Sequence, residues 1–313
     1  MAKTLAPIWS ISLYKNSEFD RNALFIKNKF CWHKICITPA VHLRTNLLEP
    51  QMKTLVHALV LSSLVAMPAV AMAAEESPHK LSGSLTLASD YVFRGISQTG
   101  GDMAIQGGLE YTHSSGFYLG TWGSNVGWIE DFQGYDSGNI EIDLYGGYRG
   151  GIGDTGLSFD VGAIQYFYPG DKPSGVTDAD TTEIYAGLGW KWFTAKYSYY
   201  LSDEVFGFGK PGYDDADGTY YLDISASYPL GESGFTLGAH WGTFQFEGSA
   251  DAQDYDDWKV SLSYDMGKLS NTLSGVTVGI AYTDTDARKS KWTDANNEFL
   301  GDSTTTVWLT KSF

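Results

Sequence analysis

The chain has 313 residues, 43% of them hydrophobic, with 36 glycines and a formal charge of −16. That length is enough for one large domain, and so acidic a chain offers no basic face for phosphates, which excludes nucleic acid as a partner. Aromatic residues reach 15%, which suits amphipathic rings at two membrane–water boundaries and equally a sugar-binding β protein.

Met52-Lys53 opens a short basic segment, followed by the apolar run Leu55–Val70 and the small-residue site Ala71-Met72-Ala73. This is the layout of a secretory signal peptide over 52–74, with cleavage expected just before Ala74 or Glu75. Its apolar core is too short for a permanent span. Residues 1–51 therefore read as a disordered upstream extension, with Met52 the true start. They hold both cysteines, Cys31 and Cys36, and no second ligand pair follows to make a metal site. Residues 75–80 are expected to be a short tail and 81–313 the folded domain. From residue 75 onward there are 13 basic and 34 acidic side chains, a charge of −21, and no cysteine. No apolar run of about 18 residues occurs there, so no transmembrane helix is expected. An exported chain of this kind is periplasmic, secreted or an outer-membrane barrel.

In the first alternating stretch, Leu81–Ile96, Leu85, Leu87, Tyr91 and Phe93 share one parity, while Ser84, Thr86, Asp90 and Arg94 share the other. Met103–Thr112 sets Ile105, Leu109 and Tyr111 against Gln106 and Glu110, and Phe117–Val126 follows. Ile140–Arg149 is the cleanest, with Ile140, Ile142, Leu144 and Tyr148 opposing Glu141, Asp143, Tyr145 and Arg149. Leu157–Tyr168, Glu183–Trp192, Ala195–Ser202 and Tyr220–Tyr228 continue the pattern. Phe235–Glu247 changes parity at Phe244 and Phe246, which suggests a bulge. Trp258–Met266, Val276–Thr283 and Thr304–Phe313 complete about 12 strands, with no helical period among them.

The connections sort by position. Those after even strands are mostly brief (Ser114–Gly116, Gly150–Gly156, Phe193-Thr194, Pro229–Gly234, Gly267–Gly275). Those after odd strands are mostly longer and acidic (Gly170–Thr181, Asp203–Gly218, Gly248–Asp257, Asp284–Ser303). A sandwich has no reason to sort its loops by parity. The expected fold is an all-β, transmembrane, antiparallel up-and-down β-barrel, with short periplasmic turns and long acidic extracellular loops. The last strand ends on the aromatic Phe313; Lys311 shares its lipid-facing parity and can snorkel to headgroups.

With the apolar parity facing lipid, the interior receives Asp90, Glu110, Glu141, Asp143, Asp160, Glu183, Asp223 and Asp265, together with Arg94, Arg149, Lys191, Lys196 and Lys259. These pore-lining candidates either select solutes in an aqueous pore or pair across strands and plug the barrel. A bridge from Arg94 to Glu110 is the expected cross-strand device. Gly151–Gly156 matches G-x-G-x-x-G but precedes a strand, so it reads as a turn. His79, His113 and His240 are the only histidines after residue 74. A hydrolase would need one of them beside a serine and an orienting group, and residue types alone do not supply that. Asp214, Asp215 and Asp217 resemble a fragment of a calcium loop lacking its distal glutamate, so only weak divalent-cation bridging to lipopolysaccharide is expected. No cofactor motif is present.

The run Ser89–Val126 carries Asp90-Tyr91-Val92-Phe93-Arg94-Gly95-Ile96-Ser97-Gln98, then Gly107-Gly108, Gly116-Phe117-Tyr118 and Trp122-Gly123-Ser124, and the chain closes on Lys311-Ser312-Phe313. These motifs resemble the TorF family of porins, long catalogued among proteobacteria as conserved hypothetical proteins, over essentially Leu81–Phe313. The resemblance implies an outer-membrane barrel with a porin role and names no substrate. The expected function is passive diffusion of small hydrophilic solutes or ions across a Gram-negative outer membrane. The expected partners are lipid, lipopolysaccharide and the barrel-assembly machinery reading the strand that ends at Phe313. The alternatives are a closed barrel acting through its loops as receptor, adhesin or structural protein, and, further off, an outer-membrane hydrolase.

Overall fold

A computed structural model describes residues 77–209 and 215–313, together with the backbone of two three-residue strands, Phe30–Trp32 and Ile35–Ile37. Those two strands pair antiparallel, with Cys31 in register with Cys36, inside a unit spanning Met1–Lys53 that is separate from Thr54–Phe313. The expected signal peptide at 52–74 lies outside the described residues.

Twelve strands follow in order: β1 (His79–Ala88), β2 (Ala104–His113), β3 (Phe117–Asn125), β4 (Ile140–Gly151), β5 (Leu157–Phe167) and β6 (Thr181–Trp190), then β7 (Phe193–Tyr200), β8 (Tyr220–Pro229), β9 (Phe235–Gln245), β10 (Tyr255–Asp265), β11 (Val276–Thr285) and β12 (Thr304–Ser312). Each pairs antiparallel with its chain neighbours, and β12 pairs with β1 (Leu309↔Leu87, Lys311↔Leu85) to close the barrel. Closure removes the unpaired edges that an open sheet would expose. The short and long connections fall at opposite ends.

Side-chain direction follows the alternation. Leu85, Leu109, Leu144, Val161, Leu188, Ile224, Leu237, Leu262, Ile280 and Val307 all face outward and are between 38% and 55% exposed, so the outer wall is an apolar belt. A wall of this kind is stable against acyl chains and unstable against water. Aromatic rings pack along its short-turn rim: Phe117 on Tyr148 at 4.9 Å, Trp192 on Tyr228 at 4.8 Å, and Phe235 on Tyr264 at 4.6 Å. Lys311 turns its ammonium to the Ser274 carbonyl in the β10–β11 connection, off the belt.

Three local expectations are corrected. The first strand ends at Ala88, where the Ser89 hydroxyl accepts from the Val307 amide and terminates the ladder. The β6–β7 turn is Lys191-Trp192, two residues earlier than the expected Phe193-Thr194. No bulge interrupts β9: its pairing runs unbroken from Tyr220↔Gln245 to Pro229↔Thr236 on one side and from Phe235↔Tyr264 to Phe244↔Tyr255 on the other. Phe244 and Phe246 are lumenal rings that meet aromatic groups delivered by the loops.

Candidate functional site

The interior is built in three levels, and the upper one comes from the long loops. Ser89–Met103 folds back into the barrel as a small hairpin, pairing Val92 with Ser97 and Phe93 with Ile96. Its two-residue tip is Arg94-Gly95, with φ of 47° and 83°. Positive φ at both positions gives the turn whose twist matches the flanking strands. Arg94 has no glycine-like freedom there, so its conformation depends on what surrounds it. A Cβ on Gly95 would stand 2.5 Å from Thr285 Cγ2 and 2.6 Å from Asp257 Cβ, so the tip rests against the β10–β11 wall. Arg94 reaches β6 and β7 instead: its Nη2 lies 2.8 Å from Glu183 Oε2, and Nη1 donates to the Tyr200 hydroxyl. Its guanidinium also lies 4.2 Å from the Tyr221 ring and 5.2 Å from Phe244.

A second hairpin enters beside the first. Val205 bridges Phe208, with Phe206 and Gly207 at the tip at φ of 50° and 78°. Phe206 stands edge-on to Phe93 at 5.8 Å and to Tyr166 at 5.2 Å. The helical turn α1 (Trp128–Asp131) adds Trp128, and Phe132 stacks on Trp292 at 5.7 Å from the β11–β12 loop. Backbone bonds tie these loops together: Ser97 N to Leu300 O at 2.8 Å and Gly127 N to Gln98 O at 2.8 Å. Together they stop the long-loop end with rings.

Below lie the ionisable groups, most of them paired. Glu183 is fully buried, takes Arg94, and has Lys196 Nζ at 3.6 Å. Glu141 accepts the hydroxyls of Tyr91 at 2.9 Å and Tyr168 at 3.0 Å. Asp160 accepts from Tyr118 at 2.6 Å. His240 lies between two acids, Nδ1 at 2.9 Å from Asp223 and Nε2 at 2.9 Å from Asp257. Ser225 Oγ is 3.2 Å from His240 Nδ1 but donates to Asp223 at 2.6 Å. Carboxylates face both ring nitrogens, so neither is left to take a proton from Ser225, as a nucleophile's base must. Nearest the short turns, Arg149 pairs with Glu110, and its side chain is 32% exposed against 8% for Arg94. The inward arginine nearest the short turns is thus more exposed than the one enclosed by rings at the other end.

The pore-lining candidates divide accordingly. Glu110, Glu141, Asp143, Arg149, Asp160, Glu183, Lys196, Asp223 and Lys259 lie on inward faces of strands. Asp90 and Arg94 belong to the inserted loop, where Asp90 accepts from Ser97 at 2.7 Å and Thr99 at 2.9 Å. Arg94 pairs with Glu183, and Glu110 takes Arg149, so the expected Arg94–Glu110 bridge is not formed. Lys191 is exposed in the β6–β7 turn, its ammonium over the Trp190 ring at 4.6 Å. Asp265 ends β10 and accepts from the Gly267 amide at 2.9 Å, a turn cap off the pore wall. Asp257 was not among the candidates, although it shares the inward parity of Lys259.

On the outer loops, Lys172 meets Asp178 at 2.5 Å. Burial works against the Asp178 charge, but the bond from Lys172 prevails and holds its carboxyl below the usual range. Asp214 lies outside the described residues. Asp217 is raised chiefly by the charge of Asp215, and among the described residues no three acids, histidines or cysteines are placed to hold a metal.

Fold and site together define an antiparallel barrel with an apolar outer belt, a charge-lined interior and an inserted-loop stopper. Residues 72–313 match the family model described as "Bacterial protein of unknown function (Gcw_chp)", and the chain belongs to that family. No curated protein sequence matches it. Among solved structures it is similar to the KdgM porin (10% identity, TM-score 0.43, covering 74% of this chain and 99% of that one). It is also similar to the NanC porin (13%, 0.43, 74% and 98%) and to OprD of Pseudomonas aeruginosa (14%, 0.39, 77% and 68%).

Proposed function

We propose that this chain is a channel of the outer membrane of a Gram-negative bacterium, exported by the segment 52–74, that passes small hydrophilic solutes and is closed at rest from its long-loop side. One observation carries the reading: the strands enclose an interior lined with both signs of charge, and loop hairpins close its upper end against inward strand rings such as Tyr166, Tyr200 and Phe244. A stopper held by Arg94, by the Tyr91 hydroxyl on Glu141 and by a set of ring contacts can be withdrawn without breaking a hydrogen bond between barrel strands. Wall charges of both signs lower the electrostatic barrier for polar solutes once the path is wet. The porin role implied by the TorF resemblance agrees with this. Partners follow from the same reading: lipid and lipopolysaccharide around the belt, and assembly machinery engaging β12 through Phe313.

The test is conductance of the purified protein in planar bilayers. The wild type gives rare, small steps, and Arg94→Ala, which frees the tip of the stopper, gives larger or longer ones. Silence from both proteins overturns the channel. It would favour the second reading, a closed barrel serving as a surface receptor or structural protein, for which the observation is that Glu141, Asp160, Glu183 and Asp257 are at most 2% exposed.

A further inference from the structure

Among the described inward carboxylates, Asp143 stands apart. The acids at 110, 141, 160, 183, 223 and 257 each have a hydroxyl, a cation or an imidazole beside them. Asp143 is 6% exposed, its Oδ1 accepts no hydrogen bond, and no cation pairs with it. Leaving a buried acceptor unsatisfied is costly, so such a group calls for an explanation. It is aimed into a cavity of about 60 Å³ beneath the Arg94 tip. One water-sized centre needs about 10–15 Å³, so the space suits a group of several heavy atoms.

The walls say what chemistry fits. In the ladder Asp143 is directly opposite Trp122 on β3 and Tyr166 on β5. Side chains opposite each other on one face stand about 5 Å apart, so the carboxylate lies between two ring systems. Tyr145 follows on the same face of β4, and Tyr91 from the inserted loop is 5.3 Å from Trp122, edge to face. All of these line the cavity. An acid enclosed by aromatic faces is the environment that binds organic ammonium groups, where ring quadrupoles and one carboxylate replace hydration. A bare metal ion would want several oxygens, and Glu141, the nearest acid on the same strand face, has both oxygens occupied by tyrosine hydroxyls. Arg94 and Lys196, also lining the space, are engaged by Glu183.

We propose that the Asp143 cavity is a binding subsite for a small organic ammonium, the cation seated on Asp143 between Trp122 and Tyr166. This deepens the channel reading, on which it rests for the solute's route in, by naming the class of solute the interior retains.

The experiment titrates choline chloride into the detergent-solubilised full chain, by calorimetry and tryptophan fluorescence, at constant ionic strength set with KCl. Expected are saturable binding to the wild type, no binding of the uncharged isostere 3,3-dimethylbutan-1-ol, and no competition by added potassium. Asp143→Asn weakens choline by about tenfold or more, the loss of one charge-assisted contact; Trp122→Leu weakens it as well. Absence of saturable binding, equal binding of the isostere, displacement by potassium, or unchanged affinity in a folded Asp143→Asn overturns the proposal. If the Asn variant does not fold, the isostere and potassium arms on the wild type decide alone. Conductance of the same preparation separates the two readings. Steps without choline binding leave the channel and overturn the subsite; choline binding without steps does the reverse.

Discussion

Arg94→Met, set against Glu183→Gln in a double-mutant cycle, probes the link between stopper and wall. Glu183 is completely buried, and its nearest cation is Arg94 at 2.8 Å. Breaking a buried pair by removing one partner costs about 3–5 kcal/mol, because the other charge stays in a low-dielectric site. Lys196 at 3.6 Å and the Tyr166 hydroxyl at 3.2 Å remain on Glu183, so the lower figure, about 3 kcal/mol, is expected for Arg94→Met. Met keeps the length of the side chain and the same backbone conformation, so no turn strain is released in compensation. Glu183→Gln leaves the guanidinium with Tyr200 and several ring faces, and about 2 kcal/mol is expected. The double variant should cost less than the sum of the singles by about 2 kcal/mol. Urea unfolding in phospholipid vesicles, followed by tryptophan fluorescence, measures all three. A coupling below about 0.5 kcal/mol would refute a stopper anchored by this pair.

Two further outcomes follow from the wall and the loops. Leu144→Arg places a charge in the middle of the outer belt and should cost about 2–4 kcal/mol in the same unfolding assay, whereas Leu81→Arg near the rim should cost about 0–1 kcal/mol; equal costs would contradict a lipid-facing wall. The Lys172–Asp178 clasp should open with acid. The folded carboxyl sits below its unfolded value, so its contribution is complete above about pH 4 and is lost as pH falls through the lower folded value. Proteolytic nicking between 170 and 180 should therefore rise below about pH 4 in the wild type. In Asp178→Asn it should be raised already at neutral pH and change little over that window.

The barrel was legible because its determinants are local. Period-two alternation in Ile140–Arg149 is enough to say which of Leu144 and Asp143 faces out, and loop length is a plain count. The stopper was not legible, because what makes it is long-range. Tyr91 and Phe93 continue the parity of Leu85 and Leu87, and nothing nearby says that the chain leaves the ladder after Ser89 while β12 itself runs on to Thr304. The pairing of positive-φ residues at Arg94-Gly95 and Phe206-Gly207 was the available signal, in the form of two dipeptides ending in glycine. A cross-strand bridge to the next strand points Arg94 at Glu110, while its partner Glu183 lies 89 residues on. The parity change at Phe244 and Phe246 mimics a bulge only if rings must face lipid, a rule that fails where loops bring other rings inside. The Asp143 subsite shares this character: Trp122 and Tyr166 come from strands either side of it, and Tyr91 from the loop.

Beneath all of this lies the claim that the outer wall meets acyl chains while the inner tryptophans are shielded from them. Quenching by phospholipids brominated in mid-chain tests it on variants retaining a single tryptophan. Trp241 and Trp258, each 41% exposed on the belt, should be quenched strongly, and Trp122 and Trp292, at 9% and 7%, hardly at all. Equal quenching of the two sets, or strong quenching of Trp122 with Trp241 spared, would contradict the account.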